Sequence, residues 1–196
     1  MSEKKLSILF VGNSYTFFNS MPQNAFTLEL KAANYEADVT SVTSGGYRLC
    51  QFADPENGNG QRLRETIKGK HYDFVVLQEQ SLNPIINEEQ FLEGVRDVMS
   101  LISADKFILY ATWGRNDGSA NLEELGLTRE EMTEKLSLAY NKAATLYGAK
   151  VAEVGKAFLA YSLSLDKDDL YNPDKSHPSA FGSALAAKVI FKEMMK

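Results

Sequence analysis

Short apolar runs alternate along the chain with longer stretches in which apolar positions recur every three to four residues. Residues 6–11 (Leu-Ser-Ile-Leu-Phe-Val) read as a buried strand, and residues 37–42, 72–77, 106–112 and 150–153 supply four more. Helical patterns cover residues 21–34, 61–68, 88–102 and 128–147. A further helix reaches about residue 164, and a terminal helix spans 178–195 with Pro178 in its first turn. Thr128-Arg-Glu-Glu131 has the form of a capping box and Gly148 that of a helix stop, whereas the polar residues 166–176 read as a loop. Strands alternating with helices of this length predict βαβ units, and strands apolar almost throughout predict a parallel sheet covered on both faces. The expectation is a single α/β domain over residues 1–196, a three-layer α/β/α sandwich around a mostly parallel five-stranded sheet.

Composition narrows the choice of function. The chain has 196 residues, 44% hydrophobic and 24% charged, the proportions of an ordinary globular domain. Acidic residues number 26 against 21 basic ones, a net charge of −5 with no lysine- or arginine-rich run, which argues against a nucleic-acid partner. The single cysteine, Cys50, excludes an intramolecular disulfide and a cysteine-rich zinc site, and reads as a small packing residue. Two distant histidines offer no metal cluster, so neither metal nor cofactor is expected. The first apolar run is too short for a signal-peptide core and no window approaches a membrane span, so a cytoplasmic protein without membrane contact is expected. The acidic pairs Glu88-Glu89, Glu123-Glu124, Glu130-Glu131 and Asp168-Asp169 read as solvated helix starts or loops. Met194 and Met195 read as core, with a homo-oligomer surface left open.

In an open parallel sheet, ligands bind beyond the carboxyl ends of the strands. The loops there carry Asn13-Ser14, Gly45-Gly46, Gln78-Glu-Gln-Ser81 and Trp113-Gly-Arg-Asn-Asp117. His71 precedes the third strand and so belongs to the opposite edge, roughly a strand length of 17–20 Å away. His177 instead follows the polar loop Tyr171–Ser176. In Asp174-x-x-His177 the aspartate can curl back to accept from the imidazole Nδ1–H, leaving Nε2 as a general base. Taken alone, that spacing also suits a capped helix start. Set beside Ser14, whose hydroxyl needs such a base to become a nucleophile, it points to Ser14, His177 and Asp174 as catalytic residues.

Val11-Gly-Asn-Ser-Tyr15, Ser44-Gly-Gly46 and Asp174-Lys-Ser-His177-Pro178, in that order along the whole chain, resemble the SGNH, or GDSL-type, hydrolase superfamily. The resemblance implies a serine esterase on a flavodoxin-like sheet, with Ser14 as nucleophile and a Ser14-His177-Asp174 triad forming an acyl-enzyme. It also implies an oxyanion hole from the backbone N–H groups of Ser14 and Gly46, Gly45 being the alternative. The third block departs from the family pattern: Leu77-Gln-Glu-Gln-Ser81 stands where Gly-x-Asn-Asp is usual. A glutamine amide carries the required donor, so Gln80 or Gln78 is expected in that role, with Asn83 a third choice. Arg115-Asn-Asp117 resembles the missing block in letters but follows the fourth strand.

Tyr15, Phe17, Tyr47, Arg48 and Trp113 fall on or beside this edge and are expected to meet the substrate. Aromatic rings with an arginine suit a sugar, so an acetyl ester of a small or oligomeric carbohydrate is expected. A lipid- or thioester-directed esterase is the alternative within the family. Two other readings differ in kind. One takes Gly12–Thr16 as the phosphate loop of a flavodoxin-like, flavin- or phosphate-binding module, and the other takes the fold as a binding protein without catalysis.

Overall fold

A computed structural model describes residues 5–165 and 169–196. Strands β1 (Leu6–Gly12), β2 (Ala37–Thr43), β3 (Tyr72–Leu77), β4 (Ala104–Ala111) and β5 (Lys150–Glu153) form one sheet in the order β2-β1-β3-β4-β5. Every pairing is parallel, for example Phe10 with Ser41 and Val76, and Tyr110 with Ala152. Alternate side chains of each strand enter opposite cores, as the twofold period of a strand requires. Ile8, Phe10, Val76, Ile108 and Tyr110 pack with Phe26, Phe158 and Ile190 on one face. Leu9, Val11, Val75, Leu77 and Leu109 pack with Phe52, Leu63, Phe91 and Tyr140 on the other. The three-layer α/β sandwich expected from the sequence is the architecture observed.

The first face carries α2 (Thr27–Ala32), α9 (Val154–Leu165) and α10 (Ala180–Met194); the second carries α3 (Leu49–Ala53), α4 (Gly58–Ile67), α6 (Glu88–Leu101) and α8 (Arg129–Tyr147). Single-turn α1 (Ser14–Phe17) and α5 (Asn83–Ile86), with α7 (Ala120–Leu125), complete the α-helices among the described residues. The capping box forms as expected: the Thr128 hydroxyl accepts from Glu131 N–H and the Glu131 carboxylate from Thr128 N–H, at 3.1 and 2.8 Å.

Several boundaries differ from the expectation. The stretch 21–34 is not one helix, because a π turn (Pro22–Phe26) precedes α2. Pro178 lies outside α10, since the Ser179 hydroxyl caps that helix by accepting from Gly182 N–H at 3.0 Å. Met195 is exposed beyond the helix end, whereas Met194 is buried. Helices α1, α3, α5 and α7 were not expected, being too short to show a period. Residues 166–168 of the expected loop, and with them Asp168, lie outside the described residues.

One packing feature runs from the core to the active edge. The Trp113 ring, fully buried after β4, lies between Tyr15 (centroids 4.6 Å, planes 5° apart) and Phe158 of α9 (4.1 Å, 1°). Phe158 thus supports the ring beneath the loop after β1. Truncation of Phe158 to Ala should cost about 3–5 kcal/mol of stability, the usual range for removing a buried aromatic side chain. Urea unfolding checks this: the midpoint should fall while the slope is unchanged.

Candidate active site

The chain leaves β1 towards β2 on one side and returns to β3 on the other, so the β1 and β3 loops flank the switch point of the sheet. Buried Asn13 closes β1 and caps α1, its Oδ1 accepting from Tyr15 N–H at 3.1 Å and its Nδ2 donating to the Tyr47 carbonyl at 3.0 Å. The Gln78 carboxamide oxygen accepts from Asn13 N–H (2.9 Å) and from the Thr16 hydroxyl (2.8 Å), while its NH2 donates to the Glu79 carbonyl. A Cβ on Gly12 would lie 2.6 Å from Thr16 Oγ1 and 2.8 Å from Gln78 Oε1, so only glycine admits this approach. Ser14 is thereby presented at the first position of α1.

The second half of the site comes from the segment before α10. Tyr171 and Pro178 form an antiparallel bridge, and Asn172 N–H donates to the His177 carbonyl at 2.8 Å. Trp113 Nε1 donates to the Ser176 carbonyl at 3.0 Å, and the Tyr15 hydroxyl and Ser176 Oγ lie 2.9 Å apart. Asn19, left-handed at φ 55°, donates its amide to the Pro178 carbonyl and to Ser183 Oγ. These contacts tie the loop to the segment after β1 and to Trp113.

Within it, Asp174 Oδ1 accepts from the backbone N–H groups of Ser176 and His177, at 3.0 and 2.9 Å. Asp174 Oδ2 lies 2.6 Å from His177 Nδ1, and His177 Nε2 lies 2.8 Å from Ser14 Oγ. Burial is the largest single influence on the Asp174 carboxyl and opposes ionisation. The hydrogen bonds and charge from His177 and the Ser176 N–H together outweigh it, and hold the group below its ordinary range. The imidazole is stacked face to face on Phe18 at 4.2 Å and makes a T-shaped contact with Tyr15 at 5.6 Å. A hydroxyl, an imidazole and a carboxylate thus form one hydrogen-bonded chain, which suits removal of the hydroxyl proton during nucleophilic attack.

Ser14 and His177 open into a cavity of about 210 Å³, shared with Gly46, Gln80, Ser81 and Arg115. Gly46, at φ +71°, sits in the turn after β2. The Gln80 amide oxygen accepts from Leu82 and Asn83 N–H groups at 2.9 and 3.0 Å, which leaves its NH2 free for the cavity. Gln78 differs from the expectation: buried, it holds the β1 loop and does not line the cavity. Asn83 differs too, being wholly buried beneath the loop and away from the cavity. Gly45 does not line the cavity either.

The expected substrate contacts are mostly structural. Trp113 is fully buried in its ring stack; Tyr47 packs on Phe52; Arg48 donates Nη1 to Gln90 Oε1 at 3.1 Å. Phe17 is exposed, and of the five only Tyr15 borders the cavity. Sequence reasoning missed Ser81, Ser176 and Arg115. Arg115 carried a signal, its position after the fourth strand, that was read only as a displaced Asn-Asp block. His71 lies at the other edge as expected, exposed between Ser103 and Asp105.

Glu79 was also missed. Its buried carboxyl accepts from the N–H groups of Gln80 (2.6 Å) and Leu49 (3.1 Å), joining the β3 loop to the segment that follows Gly46. Burial, the dominant influence, pushes it up to about 7, against the Gln80 and Leu49 N–H groups, the Asn83 amide and the Arg48 charge. A raised carboxyl stabilises the fold fully below the pKa of the unfolded chain, and that stability is lost as pH rises through the folded value. The loss should be on the order of 2–3 kcal/mol between pH 5 and 8. Glu79→Gln should flatten this part of the stability profile, as measured by urea unfolding at the two pH values.

No helix among the described residues is long and apolar enough to cross a membrane. The phosphate-loop alternative finds no support, because α1 is a single turn of four residues whose first N–H groups meet Asn13 or the serine site. No family profile and no curated protein matches the sequence. Among solved structures, a protein from Slackia heliotrinireducens assigned to the SGNH hydrolases is 31% identical, with TM-score 0.83 over 97% of this chain and 100% of its own. A DUF4886 family protein from Bacteroides uniformis (17% identical, TM-score 0.80, 97% of this chain and 83% of that one) shares the fold. So does the acetyl xylan esterase AlAXEase (15% identical, TM-score 0.65, 95% and 98%). The chain therefore belongs to the SGNH hydrolases, as an enzyme that hydrolyses esters.

Proposed function

We propose that the protein removes short acyl groups, acetyl above all, from hydroxyl groups of a carbohydrate, with Ser14, His177 and Asp174 as a catalytic triad. The observation that carries the triad is the chain of short contacts from Ser14 Oγ through His177 to Asp174. Ser14 Oγ bonds to the ester carbonyl carbon as its proton passes to His177 Nε2, and Asp174 stabilises the imidazolium. The oxyanion is met by the backbone N–H groups of Ser14 and Gly46 and by the Gln80 amide. The tetrahedral species collapses with loss of the alcohol, which takes the proton from His177. Water then attacks the acyl-enzyme with His177 as base and frees Ser14.

The short acyl group is supported by the small cavity, whose lining holds no aliphatic side chain. The carbohydrate is supported by the polar character of that lining and by the fold shared with an acetyl xylan esterase. A panel of acetylated sugars against longer acyl esters tests the substrate, and preference for chains of eight carbons or more would favour the lipid-directed alternative.

Ser14→Ala should lower hydrolysis of 4-nitrophenyl acetate by roughly 10⁴-fold or more while the protein stays folded. Labelling of wild-type Ser14 by a fluorophosphonate separates an enzyme from a binding protein on the same fold. Gln80→Ala should lower kcat by about 10²–10³-fold, the usual effect of removing one oxyanion donor. Steady-state kinetics on the folded variants measures both.

A further inference from the structure

Arg115 stands in the cavity wall with Ser14 and His177, and no carboxylate among the described residues lies within ion-pair distance of it. Asp117, two residues further on, is taken by Arg129 at 3.3 Å. Asp174 is held by His177 and two backbone N–H groups, and Glu79 by those of Gln80 and Leu49. The Arg115 guanidinium is placed by two contacts: Nη2 donates to Ser81 Oγ at 2.9 Å, and Cζ lies 5.7 Å over the Tyr15 ring; the backbone N–H donates to Met132 Sδ. The guanidinium Nε is buried with no hydrogen-bond partner among the described residues. A guanidinium stays charged at any ordinary pH, and a partly buried cation without a counter-ion is costly. The planar fork of a guanidinium matches a carboxylate or a phosphate.

We propose that Arg115 selects esters bearing an anionic group, a carboxylate or a phosphate, close to the scissile carbonyl. The inference rests on the reading of Ser14 and His177 as the ester-cleaving groups, and it narrows the substrate to an acidic ester. The cavity is small enough that an acyl group at Ser14 and an anion at Arg115 belong to one compact molecule. The protein's net charge of −5 gives anions no general attraction, so the recognition must be local.

Three acetyl esters test it: 3-acetoxybenzoate, 3-acetoxyphenyl phosphate and the neutral methyl 3-acetoxybenzoate, each rate normalised to spontaneous hydrolysis. Wild type should favour at least one anionic ester over the neutral one by about tenfold or more in kcat/KM, the size expected of charge-assisted hydrogen bonds. Which anion is favoured distinguishes carboxylate from phosphate. Arg115→Gln should remove the preference and Arg115→Lys restore part of it. A wild type without preference, or an Arg115→Gln variant that slows all three esters alike, overturns the inference. Fluorophosphonate labelling of Ser14, run alongside, separates the two failures. A labelled, active enzyme indifferent to charge removes only the role of Arg115, whereas an unlabelled, inactive chain removes the esterase reading as well.

Discussion

The Gln78 carboxamide sits where the carboxyl ends of β1 and β3 meet, and the arrangement of the site follows from its three hydrogen bonds. Its oxygen holds Asn13 N–H and the Thr16 hydroxyl, and its NH2 holds the next carbonyl. Gly12 must lack a side chain to let that carboxamide in, and Asn13 must then turn the chain at once into α1. Because the amide is buried, each of these bonds would be costly to leave unmade. The position of Ser14 is therefore set by β3 as much as by the strand that carries it.

A second tie acts between the loops after β2 and β3. Glu79 accepts from one N–H on each, so the two segments that carry Gly46 and Gln80 share a single carboxyl group. Gln80 in turn spends its oxygen on the turn at Leu82 and Asn83, which fixes the direction of its NH2. In this chain a buried acid and a longer amide occupy the region where the family usually places Gly-x-Asn-Asp.

Much of this was legible in the sequence. The number of strands and their places along the chain follow from apolar runs such as Tyr72–Leu77, whose six residues are all buried. Ser14, Asp174 and His177 were legible because their chemistry is local: a loop after a strand, and a spacing of three. The assignments to Gln78 and Trp113 went astray for a common reason. A polar or aromatic residue at a strand end can face a cavity or face inward, and only tertiary partners decide. Trp113 goes inward because Tyr15 and Phe158 offer parallel faces, and Gln78 because Asn13 and Thr16 offer donors. Short helices such as α5 escaped notice because one turn carries no period, and a residue such as Arg115 is defined by the absence of a nearby acid, which spacing cannot show.

The stack of Phe18 on the His177 face, with Tyr15 in T-shaped contact beside it, has a consequence for the order of events. Stacked on Phe18 and bonded through Nδ1 to Asp174, the ring is oriented with Nε2 towards Ser14. In the proposed reaction the same Nε2 would therefore serve the departing alcohol and then the incoming water, and both would occupy the same side of the acylated serine. The two could not be present together, so the alcohol would have to vacate that spot before a water molecule filled it.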